Sequence, residues 1–184
     1  MQRLCIRILH ICLCPAYAGL FFLSFLYKGV NLMKIIKISS SYYSLLEKNK
    51  LNDEIEHNES GRPCILIVKL KYKGSFYNFA VPFRSNISPV TPKDEYFALP
   101  PNPKTKSKHH HGIHFIKMFP IDRTQCQKFL IDGNDYLKMI SKILDENEHE
   151  IIQRCQEYLD KYAAGERHRY SPNIDGIISM LSKH

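Results

Sequence analysis

Residues 63–83, PCILIVKLKYKGSFYNFAVPF, decide the fold of this chain. A β-branched, apolar run ends at Tyr72, and an alternating aromatic run follows Lys73 and Gly74. These two residues suit a tight hairpin turn, because glycine accepts a positive φ at no steric cost. The pattern therefore predicts an antiparallel β-hairpin. Pro82 lacks a backbone donor, so we expect the second strand to lie at a sheet edge or to be ending there.

Shorter segments on both sides of the hairpin extend the predicted sheet. Residues 34–38 (KIIKI) and 112–119 (GIHFIKMF) have strand-like patterns, and 96–99 and 129–131 are candidates for shorter strands. Residues 86–108 contain five prolines and are predicted to be mainly loop.

The C-terminal part changes to a helical period. From a cap at Asn134 or Asp135, apolar residues recur on one helical face as far as Tyr162, and Gly165 would end the helix. A last short helix is predicted after residues 171–172 (SP). Strands first and helices last indicate the α+β class. We expect a compact, strongly twisted, barrel-like antiparallel sheet flanked by helices, with a long C-terminal amphipathic helix.

The positive charge is concentrated in one block of the sequence. The formal net charge is +8, and residues 62–117 carry ten basic residues against two acidic ones. A hydrophobic content of 44% is ordinary for a globular protein. The basic block indicates either a polyanionic partner or a merely solvated basic face.

Residues 1–32 form an apolar N-terminal extension with three interpretations. A signal peptide would be cleaved near residues 16–18 (AYA), and a membrane span would cover residues 11–27. In the third interpretation, translation begins at Met33, because the codons just before it can contain a bacterial ribosome-binding sequence. We favour this third interpretation, in which residues 1–32 come from an upstream start and are not part of the fold, and residues 33–184 form a single domain.

The cysteines of this domain are scattered singly. Cys64, Cys126 and Cys155 form no CxxC pair, which indicates neither a disulfide framework nor a structural zinc site. The expected location is a reducing cytoplasm.

Residues 104–121, KTKSKHHHGIHFIKMFPI, contain four lysines and four histidines. In an extended chain His109 and His111 share one face, and His110 and His114 share the other. Three interpretations stay open: a metal site, a solvated basic loop, or imidazoles that exchange protons with a phosphate-bearing substrate held by the lysines.

A second polar stretch follows the aromatic strand. The planar guanidinium of Arg84 matches phosphate oxygens, and Ser85 and Asn86 add hydrogen-bonding groups. An ordinary polar turn is the alternative interpretation.

Three ordered segments resemble the endoribonuclease toxins of type III toxin–antitoxin systems, the ToxN/AbiQ superfamily and especially its TenpN/CptN relatives. The segments are 33–46 (MKIIKISSSYYSLL), 62–87 (RPCILIVKLKYKGSFYNFAVPFRSNI) and 111–121 (HGIHFIKMFPI). FAVPFRSNI is the most specific element. After residue 121 the resemblance is limited to helical character.

Within this resemblance, Ser85 falls on the active-site serine of the family. Arg84 replaces the usual threonine, as in the TenpN/CptN pattern. Residues 112–117 (GIHFIK) are similar to the family's G-x-D-[FY]-x-K strand, with His114 in place of the acid.

The activity that the resemblance implies is sequence-selective, metal-independent cleavage of single-stranded RNA, without a cofactor. The ribose 2′-OH attacks its own phosphodiester and leaves a 2′,3′-cyclic phosphate. Arg84 and Lys117 would neutralise phosphate charge, and Ser85 would bond a phosphate oxygen. Either His111 or His114 would transfer the proton, and the cleavage sequence stays open.

The implied partners are target RNA and a repetitive, pseudoknot-type antitoxin RNA that inhibits the toxin in phage defence. An RNA-mediated oligomer is expected, and no stable membrane partner. The expected RNA-binding residues are Tyr42, Tyr77 and Phe83, which would stack on bases, together with Asn86, Lys104, Lys106 and Lys108. The alternative function is a non-catalytic nucleic-acid-binding module.

Overall fold

The computed structural model describes residues 33–56 and 63–183, and the predicted extension lies outside these ranges. The strands are β1 (Met33–Ile38), β2 (Cys64–Tyr72), β3 (Ser75–Ile87), β4 (Tyr96–Leu99), β5 (His110–His114), β6 (Phe119–Pro120) and β7 (Cys126–Lys128). The helices are α1 (Ser40–Lys48), α2 (Asp135–Glu146), α3 (Glu148–Ala163) and α4 (Ile174–Leu181). No helix in the described ranges is long and apolar enough to cross a membrane.

The seven strands form one antiparallel sheet. Its strand order is β4-β5-β3-β2-β1-β7, and β6 pairs with β3 away from this path. The predicted hairpin is confirmed as β2 and β3, joined by Lys73 (φ 47°) and Gly74 (φ 88°). The α+β class is likewise confirmed. The path ends at β4 and β7, so the sheet is open rather than a closed barrel.

β3 is the centre of the sheet, and the prediction that Pro82 marks an edge or an end is wrong. β3 runs five residues beyond Pro82, to Ile87. On one side, β6 pairs with Phe79 and Ala80 and β5 pairs from Phe83 onward. Pro82 therefore lies where β3 changes partners. No strand of the described ranges pairs with Pro82 on that side, so its lack of an N–H group costs the sheet no hydrogen bond there.

Helices cover both faces of the sheet. On one face, Ile65, Ile67 and Phe79 pack in a buried cluster with Ile151 and Leu159 of α3. The other face contacts α1 and α4 through a second cluster, which contains Leu66, Ala80, Tyr42, Leu46, Ile177 and Met180. Both faces of the central strands are therefore desolvated, and this burial is the main favourable contribution to folding.

The predicted long C-terminal helix is two helices, α2 and α3, separated at Asn147. Asn147 has φ −115° and ψ 16°, and its side-chain amide donates to the carbonyl of Ile143 at 2.7 Å. The stretch 145–150 (DENEHE) offers no apolar residue to hold a continuous helix on the sheet. The strand expected at residues 129–131 instead lies immediately before them, as β7.

Candidate functional site: a cationic cleft

Arg84 and Lys117 line the same cleft. Arg84 lies on β3 opposite Gly112 of β5, and Lys117 ends the short 3-10 turn that follows β5. The other lining residues are Tyr43, Glu54, Ile55, Glu56, Cys64, Pro82 and Phe119. The Arg84 and Lys117 side chains are only 25% and 12% exposed, so both charges are largely shielded from water. Desolvated cations of this kind interact strongly with an anion.

Two glutamates from the loop after α1 neutralise these cations. Glu54 Oε2 lies 2.5 Å from Lys117 Nζ, and Glu56 forms an ion pair with Arg84. Lys117 also donates to the carbonyl of Tyr170 at 2.8 Å. Glu54 has a φ of 64°, in the left-handed region that is unfavourable for a residue with a side chain. The cleft therefore already contains two carboxylates where anionic groups of a ligand would bind.

His114 lies on the cleft face of β5. Side chains alternate along a strand, so His114 shares a face with Gly112 and hence with Arg84. The side chain is buried, and neither ring nitrogen has a hydrogen-bond partner among the described residues. Burial, followed by the nearby charges of Arg84, Lys117 and His168, lowers the pKa of His114 to about 4. At neutral pH this imidazole is therefore uncharged.

His111 lies on the opposite face, where its side chain is buried. Its Nδ1 lies 2.8 Å from the Pro100 carbonyl oxygen and 3.0 Å from the Tyr136 hydroxyl. Its ring stacks on that of Phe83, and burial lowers its pKa. Of the two predicted proton carriers, only His114 lies with Arg84 and Lys117.

Ser85 and Asn86 anchor the proline-rich loop rather than line the cleft. Asn102 Nδ2 donates to Ser85 Oγ at 2.9 Å, and the backbone N–H of Lys106 donates to Asn86 Oδ1 at 2.8 Å. Both contacts fix the segment that carries the exposed side chains of Lys104, Lys106 and Lys108. These two hydrogen bonds therefore attach the basic segment to β3.

The predicted stacking roles of Tyr42 and Phe83 are wrong, because both rings are in the core. Tyr42 is fully buried, its hydroxyl donates to the Pro120 carbonyl, and burial raises its pKa. Phe83 is 7% exposed. Tyr77 is half-buried against the same core. None of the three offers a free ring face beside the cleft cations.

The structure does not support a metal site at the histidines, because their side chains do not converge within the described residues. His110 stacks on Tyr96, and His109 Nδ1 lies 3.1 Å from the Ser107 carbonyl oxygen. Within residues 33–56 and 63–183, no three His, Cys, Asp or Glu side chains are grouped to hold a metal ion.

The loop between α3 and α4 lies beside the cleft, a contribution not predicted from the sequence. This α3–α4 loop, residues 164–173, places His168 near His114 and the Tyr170 carbonyl on Lys117. The available signal was local: residues 167–169 (RHR) are a basic cluster in an otherwise acidic C-terminal part.

Comparison with solved structures supports the fold. One similar structure comes from work on bacterial type III toxin–antitoxin systems, in which a non-coding RNA pseudoknot selectively inhibits the toxin. Its TM-score is 0.62 at 16% identity, and the match covers 83% of this chain and 98% of that chain. A second comes from a bacterial antiviral system regulated by a processed non-coding RNA. Its TM-score is 0.58 at 15% identity, with coverage of 82% and 98%.

Sequence comparison adds no relative. No protein-family model matches this chain, and no curated protein sequence matches it. The resemblance to type III toxins is thus confirmed at the level of the fold, which this chain shares at low sequence identity.

Proposed function

We propose that this protein is the endoribonuclease toxin of a type III toxin–antitoxin system. The observation that carries the proposal is the shared cleft of Arg84 and Lys117, beside the neutral imidazole of His114. The fold shared with a toxin that an RNA pseudoknot inhibits supports the same assignment. The protein would act in the bacterial cytoplasm, where its target RNA is found, and would contribute there to defence against phage.

In the proposed reaction, one RNA phosphodiester displaces the two glutamates and binds Arg84 and Lys117. His114 takes the proton of the ribose 2′-OH while the 2′-oxygen attacks the phosphorus. The bond from phosphorus to the 5′-oxygen breaks, and that oxygen takes a proton from water. The hydroxide left behind takes the proton from His114, which restores the neutral imidazole. The products are a 2′,3′-cyclic phosphate and a free 5′-hydroxyl. The two cations stabilise the charge that develops on the phosphoryl oxygens.

Neither a metal nor a nucleophilic side chain enters this scheme, because the attacking group belongs to the RNA. Lys104, Lys106 and Lys108, exposed on the anchored loop, would hold the neighbouring phosphates of target and antitoxin RNA. Repeated antitoxin RNA bound in this way would link several copies of the protein into an RNA-mediated oligomer.

The test is cleavage of single-stranded RNA in EDTA, with analysis of the new ends. We expect cyclic phosphate ends with the wild-type protein. Lys117→Met and Arg84→Met should each lower the rate by roughly 100- to 1,000-fold, the usual effect of losing one group that stabilises developing charge. Lys34→Met, a change at an exposed lysine of β1, is the matched control and should leave the rate unchanged.

The alternative function, a non-catalytic nucleic-acid-binding module, predicts a different result. The wild-type protein would retard RNA in a gel and produce no new ends after long incubation. That outcome would refute the enzymatic proposal and retain the basic surface as a binding site.

A further inference from the structure

The α3–α4 loop is fixed to the edge of the cationic cleft. Its Ser171 hydroxyl lies 2.5 Å from the Tyr158 hydroxyl, which also lies 3.5 Å from the Ile116 carbonyl oxygen. Lys117 donates to the Tyr170 carbonyl in the same loop. These contacts hold the loop against the turn that carries Lys117, so its side chains have defined positions beside the cleft.

Tyr170 presents an aromatic ring to solvent at this edge. Its side chain is 42% exposed. The other large, exposed apolar side chains in the described ranges are Phe76, Val90, Leu130 and Met139. None of these four lines the cleft, and Tyr170 contacts the lining residue Lys117. The exposed ring of Tyr170 therefore lies next to Lys117, one of the two cations proposed to bind phosphate.

Cations surround the Tyr170 ring. The guanidinium carbon of Arg169 lies 4.3 Å from the ring centre, and Lys117 Nζ lies 5.6 Å from it. Arg169 also donates to the Tyr170 hydroxyl, whereas Arg167 forms an ion pair with Asp175 at 2.7 Å. An exposed ring and a planar guanidinium are both surfaces on which unstacked RNA bases bind, and a neighbouring cation holds the phosphate.

We infer that Tyr170, together with Arg169, is the stacking platform for a base of single-stranded RNA. This base belongs to a nucleotide adjacent to the phosphate on Lys117. The inference rests on the proposed function, since it supplies the base-binding part of the same substrate site. It replaces the stacking residues expected from the sequence, Tyr42 and Phe83, whose rings are buried.

The first experiment measures binding to 2′-O-methyl homo-oligonucleotides of each of the four bases, which lack the attacking hydroxyl and so stay intact. We expect Tyr170→Leu to weaken binding by roughly 5- to 100-fold, the range for loss of one base–aromatic stack. Tyr170→Phe keeps the ring and should stay within about twofold of wild type. Phe76→Leu is the matched control, because it removes another exposed ring at the β2–β3 turn and should leave affinity unchanged.

The second experiment places a single abasic residue at successive positions of the tightest-binding oligonucleotide. One position should weaken binding to the wild-type protein and have little effect on Tyr170→Leu, because the base and the ring form one contact. Equal affinity of wild type and Tyr170→Leu, or an equal loss in Tyr170→Phe, overturns the inference and leaves the proposed function standing. Failure of the wild-type protein to bind any RNA overturns both.

Discussion

His114 lies on the same side of the sheet as Arg84 because β5 alternates its side chains between two faces. The same alternation directs His111 into the core, where it contacts Pro100 and Tyr136. Two histidines three positions apart thus have different environments. Burial next to Arg84, Lys117 and His168 then keeps His114 uncharged at neutral pH. The two cations of the cleft thus lie near an unprotonated imidazole, which is the protonation state in which a histidine can accept a proton.

The lowered pKa of His114 predicts a loss of stability in acid. Its pKa of about 4 in the folded protein lies below the ordinary 6.5, so between these values the unfolded chain binds the proton and the folded chain does not. Stability should therefore fall as the pH drops from 6.5 toward 4. From pH 7 to pH 5 this one residue should contribute a loss of about 2 kcal/mol.

Urea denaturation at pH 7 and pH 5 measures this contribution. The loss of unfolding free energy should be smaller in His114→Asn than in wild type, by that amount. His149→Asn, at an exposed histidine of α3, is the control and should retain the wild-type loss. The comparison between variants is needed because burial also lowers the pKa of His111. Equal losses in wild type and His114→Asn would contradict the prediction.

At the scale of elements, the pairing of β4 with β5 depends on Gly112. A Cβ atom at this position would lie 2.1 Å from the carbonyl oxygen of Phe97, which is closer than any real contact. Because that oxygen belongs to the backbone of β4, the clash cannot be relieved by a side-chain rotation. Gly112 also lies opposite Arg84, so a shift of β5 would move His114 relative to Arg84.

We expect Gly112→Ala to lower the unfolding free energy by about 1–3 kcal/mol, as overpacking does elsewhere in cores. Ala98→Ser is the control, because Ala98 lies opposite Gly112 on β4 and is exposed. Thermal and urea unfolding of both variants would show the difference. If the Gly112→Ala variant were as stable as the control, β4 and β5 could move apart with little loss of free energy, which would contradict the prediction.

The loop after α1 determines how accessible the cleft cations are. An incoming phosphate must break the ion pairs of Glu54 with Lys117 and of Glu56 with Arg84. Partly exposed pairs of this kind each contribute up to about 1 kcal/mol, so removing one acid should tighten RNA binding roughly two- to fivefold. Glutamine at either position keeps the shape of the side chain and removes its charge.

Binding of intact 2′-O-methyl RNA to Glu54→Gln and Glu56→Gln measures this effect. Glu146→Gln is the matched control, since it removes an ion pair with Lys142 on α2 and does not line the cleft. Weaker binding in the first two variants would show that the carboxylates help to hold the RNA.

At the scale of the whole molecule, sequence reasoning predicted features that local pattern determines. The alternation in residues 63–83 predicted the hairpin, and the order of strands and helices predicted the α+β class. The position of Pro82 was mispredicted because partner exchange between β6 and β5 is a property of the folded sheet. The break at Asn147 could have been found, because six polar residues interrupt the apolar period there.

The candidate site was predictable only where its residues are close in sequence or belong to a motif. Arg84 was singled out by its guanidinium and by the resemblance, Lys117 by the resemblance, and both residues line the cleft. Tyr42 was assigned to RNA, although its one-turn spacing from Leu46 on α1 is typical of a buried face. Glu54 and Tyr170 meet Lys117 across 63 and 53 residues of chain, and no local pattern predicts such contacts.

The glutamates on the cleft cations also affect the thermodynamics of ion release. RNA binding weakens with salt because phosphates expel mobile counterions from basic groups, with a logarithmic slope of about −0.7 per phosphate for single strands. The counterions of Arg84 and Lys117 are instead the carboxylates of Glu56 and Glu54. These carboxylates belong to the protein, so their displacement by RNA releases no ion into the solution. The contribution of Arg84 and Lys117 to RNA affinity should therefore depend little on salt concentration. The contribution of the exposed lysines at 104, 106 and 108 should decrease as the salt concentration rises. RNA bound as proposed would therefore remain attached at the cleft when rising ionic strength has weakened its contacts with the exposed lysines.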